Sequence, residues 1–342
     1  GGGGAGGGNG TGSAATANTG SGGGGGGGGY DAGGSGGSGI VVMRYEWKSP
    51  ATQAWNGNRG MIGGGYNPSN NAQNKISYFN IHNTGNAVDF GDLTVARGYL
   101  CSMSNSSRGV WAGGYSPYKN EIDYVTIANT GNATDFGDLT VAAEVCGGTS
   151  NGTRGCIGGG GTSGGNTNVI SYITIANAGN ATDFGDLTAA RSTMAAAQNA
   201  SLGLYAGGYE SDYVNTIDYI SIDTAGNASD FGDLTVARQA AAGCSNATRS
   251  VFGGGQESSK SNVIDYVTTA TAGNATDFGD LTDARANSAA CANGYRAVWF
   301  GGTNNSSVTS TMDYVEIATT GNAVAFGNGN NSMKGSAALS GD

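Results

Sequence analysis

Apolar residues along this chain do not recur at a helical period; they come in short bursts separated by Gly, Asn, Thr and Asp. One burst ends in paired glycines, as in Gly109-Val110-Trp111-Ala112-Gly113-Gly114. A second reads Ile122-Asp123-Tyr124-Val125-Thr126-Ile127, in which Ile122 and Tyr124 point to one side of an extended strand and Val125 and Ile127 to the other. Such a strand must be covered on both faces. A Thr-Gly-Asn-Ala turn then leads into Ala133-Thr134-Asp135-Phe136, a hairpin signature. A weaker segment of small residues, such as Ala240-Ala241-Ala242-Gly243-Cys244, precedes each glycine-ended burst. Units rich in Gly, Thr, Tyr, Val and Ile disfavour helix, so the pattern predicts short strands throughout.

The bursts repeat. Gly-Asn-Ala begins at Gly85, Gly131, Gly179, Gly226, Gly273 and Gly321, at intervals of 46, 48, 47, 47 and 48 residues. Five copies continue as a near-identical block, for example Asp135-Phe136-Gly137-Asp138-Leu139-Thr140, and the sixth degenerates to Ala325-Phe326-Gly327-Asn328. Four strands in a unit of this size make one propeller blade, and about four to eight blades close a ring. The expectation is therefore an all-β, six-bladed propeller over residues 49–342, with four antiparallel strands per blade and repeats ending near 94, 140, 188, 235, 282 and 328. The small first strands would line the crowded axis. Met333 to Asp342 reads as the start of a further first strand and Lys48 aligns with Arg97, so either terminus can supply the strand that closes the ring.

Residues 1–39 differ in kind. They hold 23 glycines, including the unbroken run Gly22 to Gly29, and have almost no side chains to bury. As a coil they would span roughly 35 Å, and in a polyproline-II-like form about 120 Å. They are expected to form a little-structured or polyglycine-type segment, joined to the propeller by a connecting strand at 40–48. The segment is expected to carry contacts with other proteins and could support an oligomer.

Composition narrows the function. Charged residues make up 12% of the chain, about half the usual share, and the formal net charge is −10. Phosphate-backbone binding needs clustered Lys and Arg, so nucleic acid is an unsuitable partner. The longest aliphatic run, Ile40 to Met43, is too short to insert in a bilayer. Cys101, Cys146, Cys156, Cys244 and Cys291 form no metal-type pair and are expected as buried free thiols. No cofactor and no metal site are expected. Because the chain starts at Gly1 without Met, an upstream signal or domain stays open.

Asp89 and Asp92, with equivalents in the next four repeats, supply too few oxygens for calcium. They are expected to form turns and to pair with the arginine five residues on, as Asp92 with Arg97 or Asp233 with Arg238. Arg59, Arg108, Arg154, Arg249 and Arg296 are expected to bond neighbouring turns rather than a ligand. The recurring Asn-Ala-Thr sequences at Asn132, Asn180 and Asn274 read as turn chemistry copied with the repeat. His82, the one histidine, sits beside a hairpin turn and is a poor candidate for a catalytic triad.

The connection between strands two and three, in contrast, varies from repeat to repeat. It shares a face with the four-to-one connection, which reads as nearly constant. Variable loops on a fixed scaffold are where recognition is usually built. The candidate ligand-binding residues are Tyr66, Asn67, Asn70, Tyr115, Tyr118, Lys119, Tyr209, Tyr213, Gln256 and Lys260. Tyr with Asn and Ser suits carbohydrate or protein surfaces.

The glycine-ended apolar strand, the downstream Tyr and the Arg before the next glycine pair resemble the kelch repeat. Phe90, Phe136, Phe184, Phe231, Phe278 and Phe326 stand where kelch repeats usually carry Trp. The block GNATDFGDLT at Gly131–Thr140 and SNATRSVFGGG at Ser245–Gly255 resemble repeats of structural proteins of cyanophages and other marine phages. Gly22–Tyr45 is similar to the glycine-rich segments of phage tail-fibre proteins. The resemblance implies a virion surface protein of the tail-fibre type, with no enzyme activity, whose propeller binds a host surface glycan or protein. It leaves open a purely structural decoration of the virion, or a polysaccharide-active enzyme. Copper oxidases of the kelch type need two histidines, so their chemistry is excluded.

Overall fold

In the computed structural model of the chain, the described residues are 57–341 together with Gly34. The chain divides into the units Gly1–Lys48 and Ser49–Asp342. Apart from Gly34, the glycine-rich segment at 1–39 and the connecting strand at 40–48 lie outside the described residues.

The second unit holds six antiparallel four-stranded sheets. Blade two is typical: Cys101–Ser104, Arg108–Ala112, Glu121–Thr126 and Thr134–Asp138, in that order from axis to rim. Blade one is composite, with its outer strands Arg59–Gly63, Lys75–Asn80 and Val88–Asp92 joined on the axis side by the C-terminal strand Ala337–Gly341. Of the two closures the sequence allows, this structure uses the C-terminal one. Fourteen residues on from the last Gly-Asn-Ala, which ends at Ala323, Ala337 begins the small-residue closing strand, which pairs Leu339 with Met61.

Each sheet packs face to face with the next, and six apolar clusters fill the six junctions. Between blades one and two lie Met61, Phe90, Trp111, Val125 and Ile127, all buried. Ile122 and Phe136, on the other face of blade two, pack against Ile157 and Ile173 of blade three. Strand three is therefore apolar on both faces because it has a neighbour on both faces. In all six blades the recurring Phe packs edge-on against the Tyr of strand three, as Tyr124 on Phe136 at 5.8 Å.

The glycine after that Phe is fixed by the adjoining blade. A bulge in the strand three-to-four pairing admits it, and Gly137 takes φ +141°. A Cβ on Gly137 would sit 2.6 Å from the backbone of Gly179 in blade three. The same approach lets the turn asparagines act as latches: Asn132 Oδ1 accepts the N–H of Asp92 (3.1 Å), and Asn180 accepts that of Asp138 (3.0 Å). The Asn-Ala-Thr motif thus closes junctions, in keeping with its reading as turn chemistry.

The arginines divide into two sets. Arg108 lies over the ring of Tyr124 at 4.5 Å and donates to the Ile175 carbonyl of the next blade (3.1 Å). Arg154 does the same with Tyr172 and Ile222, and Arg296 with Tyr314 and His82. This set bonds neighbouring turns as expected. The second set corrects the sequence reading: Arg97 pairs with Asp123, not with Asp92, and Arg238 pairs with Asp265, not with Asp233. Asp92 instead meets Lys75 at 3.0 Å. Arg97 instead packs on strands of blade two, where it meets Asp123 and the Gly113 carbonyl (2.8 Å), while Asp92 ends the outermost strand of blade one.

Candidate binding face

Strand two-to-three and four-to-one connections share one face of the disc, where they pair by isolated bridges such as Gly98 with Tyr115, Glu144 with Gly161 and Ser192 with Tyr209. Each four-to-one connection ends with one residue in the left-handed conformation: Tyr99, Val145, Thr193, Ala240, Asn287 and Gly335, with φ between 49° and 62°. These six residues form a closed ring of backbone hydrogen bonds around the axis. Tyr99 N–H donates to Gly335, Gly335 to Asn287, Asn287 to Ala240, Ala240 to Thr193, Thr193 to Val145 and Val145 back to Tyr99, at 2.6–3.0 Å. We call this ring the collar.

Below the collar, inner-strand residues including Ser102, Ser104, Ser150, Gln198 and Ser340 line a narrow axial channel of about 140 Å³. Its hydroxyls are spent on the scaffold, since Ser104 donates to the Ser340 carbonyl (2.7 Å) and Ser150 to that of Ser104 (3.0 Å). Small residues on these strands follow from the crowding, as the sequence implies.

The collar corrects the description of the four-to-one connection as nearly constant. Its first half, through Leu-Thr, recurs in five of the six connections, but its last two positions differ in every one. The first reads Gly98, Glu144, Ser192, Gln239, Ala286 and Lys334; the second reads Tyr99, Val145, Thr193, Ala240, Asn287 and Gly335. In the sequence these columns stand out once the repeats are aligned on Leu-Thr.

The structure places the sequence candidates around this ring and brings only some together. Tyr66 donates its hydroxyl to the Tyr115 carbonyl (2.7 Å) and packs on Tyr99 at 5.3 Å. Tyr115 packs edge-on to Tyr118 at 5.1 Å. Tyr209 and Tyr213 form a separate pair on blade four. Asn67 folds its own loop, its Oδ1 accepting from the N–H groups of Ser69 and Asn71, while Asn70 takes φ +57°. Lys119 pairs with Glu121 at 3.2 Å. Gln256 and Lys260 bridge each other on blade five, and Lys260 Nζ donates to the Asn304 carbonyl (2.9 Å).

On the same face, Tyr99, Tyr118, Glu144, Asn166, Thr193 and Asn287 border an open cleft of about 370 Å³. Burial raises the pKa of Glu144. Burial also raises the Tyr99 phenol, with the Glu144 charge adding to the effect. Among the described residues no trio of His, Cys, Asp or Glu is gathered as a metal site would require.

Fold and face together define a six-bladed β-propeller, a scaffold suited to binding or to a structural role. No family model matches the chain, and no curated protein matches it in sequence.

Proposed function

We propose that this chain is a surface component of a virus particle, of the tail-fibre type, and that the collar face of its propeller grips a glycan or protein on the host cell. On this reading the protein binds and does not catalyse, and its glycine-rich segment joins it to other fibre proteins. The virion assignment rests on the resemblance of the repeats and of Gly22–Tyr45 to phage structural proteins.

One observation carries the binding assignment. In repeats that are otherwise near-copies, the two collar columns hold six different residues each. Gly335 shows what the backbone favours at the inner column, because glycine adopts positive φ without penalty. The other five blades keep side chains there, and Val145 and Thr193 are β-branched, where a left-handed conformation costs roughly 1–2 kcal/mol. Strained residues persist where the site over-determines them, commonly at ligand clamps.

The test uses the fluorescently labelled full chain on a panel of marine bacteria and cyanobacteria. Wild-type protein is expected to adhere to a subset of strains. A variant with Tyr99, Val145, Thr193 and Asn287 all replaced by Gly is expected to lose that adhesion while keeping its melting temperature within a few degrees. Adhesion by the variant equal to wild type, or no adhesion to any strain, overturns the proposal.

A further inference from the structure

Blade three contributes the one acidic side chain of the outer collar column, Glu144. Its backbone is pinned on both sides, N–H to the Gly161 carbonyl and carbonyl to the Gly161 N–H, each at 2.9 Å. The backbone that carries the carboxylate is therefore held on the cleft wall. Among the described residues, no Lys or Arg ion-pairs with it. A half-buried carboxylate without a partner costs free energy, so the scaffold gains nothing from keeping it.

The rest of the cleft complements hydroxyl groups. Tyr99 is braced by Tyr66 (5.3 Å) and Tyr118 by Tyr115 (5.1 Å), so two aromatic rings are held in place before any ligand arrives. Asn166 spends its amide N–H groups on the Tyr209 and Glu210 carbonyls, at 2.9 and 3.2 Å, which fixes its amide and leaves the oxygen as an acceptor. The Thr193 hydroxyl is likewise oriented, donating to Ser192 or Gln239. A volume of about 370 Å³ lies at the low end for ligand sites, room for one or two sugar rings.

We infer that this cleft is a saccharide subsite that takes a neutral, polyhydroxylated sugar residue, with Glu144 accepting hydrogen bonds from sugar hydroxyls and a tyrosine ring covering the C–H face. The inference rests on the binding role given to the collar face and names the ligand class for it. Uronate, sialylated and sulfated residues are refused, because a second anion beside unpaired Glu144 is repelled, in a chain of net charge −10. Tyrosine supplies contact area with few rotors to freeze.

The experiment is an array of neutral gluco-, manno- and galacto-oligosaccharides beside their uronate and sulfated counterparts, probed with the full chain and followed by calorimetry on the hits. Wild type is expected to bind neutral members only. Glu144→Gln keeps the shape but replaces a charged acceptor by an amide, and is expected to weaken binding roughly tenfold, the worth of one charge-assisted hydrogen bond. Tyr118→Ala is expected to weaken it by a similar factor, while Glu316→Gln, outside the collar face, leaves it unchanged. Glu144→Gln binding as tightly as wild type, or selection of acidic sugars, overturns the inference. If the chain adheres to cells through the collar and neutral sugars fail to compete, this inference falls and the broader function stands. Absence of both adhesion and sugar binding removes both.

Discussion

Arg97 donates to Asp123 across the junction of blades one and two at 2.7 Å, and neither side chain touches solvent. The same link joins Arg191 to Asp218 (3.1 Å), Arg238 to Asp265 (3.0 Å) and Arg285 to Asp313. At the other two junctions both partners are replaced together. Ala143 and Ser171 stand at those positions in one, with Thr140 bonding Ser171; Met333 and Ser77 stand there in the other, with Asn330 bonding Ser77 (2.7 Å). A single chain thus holds four charged and two neutral versions of one joint. The physical reason for joint replacement is that either charge alone would be stranded in the interior.

From this follows a stability cycle at the Arg191–Asp218 joint. Arg191→Ala or Asp218→Ser alone is expected to cost about 3–5 kcal/mol, because each leaves a buried ion unpaired. The double variant, which copies the Ala143 and Ser171 joint, is expected to recover at least half of that loss. Arg191 Nε and Nη1 find no partner in this joint, so little is forfeited with the pair. Urea unfolding midpoints of the four proteins measure it, and strict additivity would contradict the account.

Val145→Gly tests the collar strain. Release of the left-handed valine gains roughly 1–2 kcal/mol, and the extra chain entropy of glycine offsets about 0.5–1 of it. Stability should therefore hold or rise slightly. Val110→Gly, at an extended and fully buried site, should cost several kcal/mol by comparison. Thermal melting of the two variants gives the answer, and a large loss for Val145→Gly would remove the strain argument.

Glu144 makes a pH-dependent contribution whose sign is fixed by its raised pKa. A carboxyl easier to protonate when folded favours the folded state at low pH, and that favour is lost as pH rises through the raised value. At neutral pH the charge is therefore a burden. Glu144→Gln is expected to melt slightly higher than wild type at pH 7, with the gap vanishing below pH ~4 as the native carboxyl is neutralised. A gap that is constant with pH, or of opposite sign, would count against an unpartnered carboxylate.

The five buried cysteines are expected to resist alkylation. Burial pushes the Cys156 and Cys291 thiols up to about 12, so at pH 8 almost no thiolate, the reacting species, is present. Iodoacetamide should label them slowly in native protein and fast in urea. Equal rates would show that the inner strands open readily.

Much of the ring is legible in the sequence, because a blade junction buries the same residue types each time: Phe136, Ile122 and Val125 repeat with it. Asn132 reads as turn chemistry, and its side chain does secure the adjoining Asp92 backbone. The Asp123 link was not legible, since Arg97 and Asp123 lie 26 residues apart and only the approach of two sheets joins them. The collar was hidden for a different cause. Tyr99 and Glu144 belong to adjoining blades, and the eye follows the long loops rather than two short columns. The exposed tyrosines of the long loops are the conspicuous feature, but the Tyr209 ring pairs with Tyr213 and only its backbone carbonyl meets the cleft, through Asn166 at 2.9 Å.

The most direct measurement of the central claim is a hydrogen-exchange footprint of the full chain with and without the oligosaccharide or cell-surface extract that it binds. Protection is predicted at 98–99, 144–145, 192–193 and 286–287, with the Gly-Asn-Ala turns at 85–87 and 131–133 unchanged. Protection confined to those turns, on the opposite face of the disc, would contradict it.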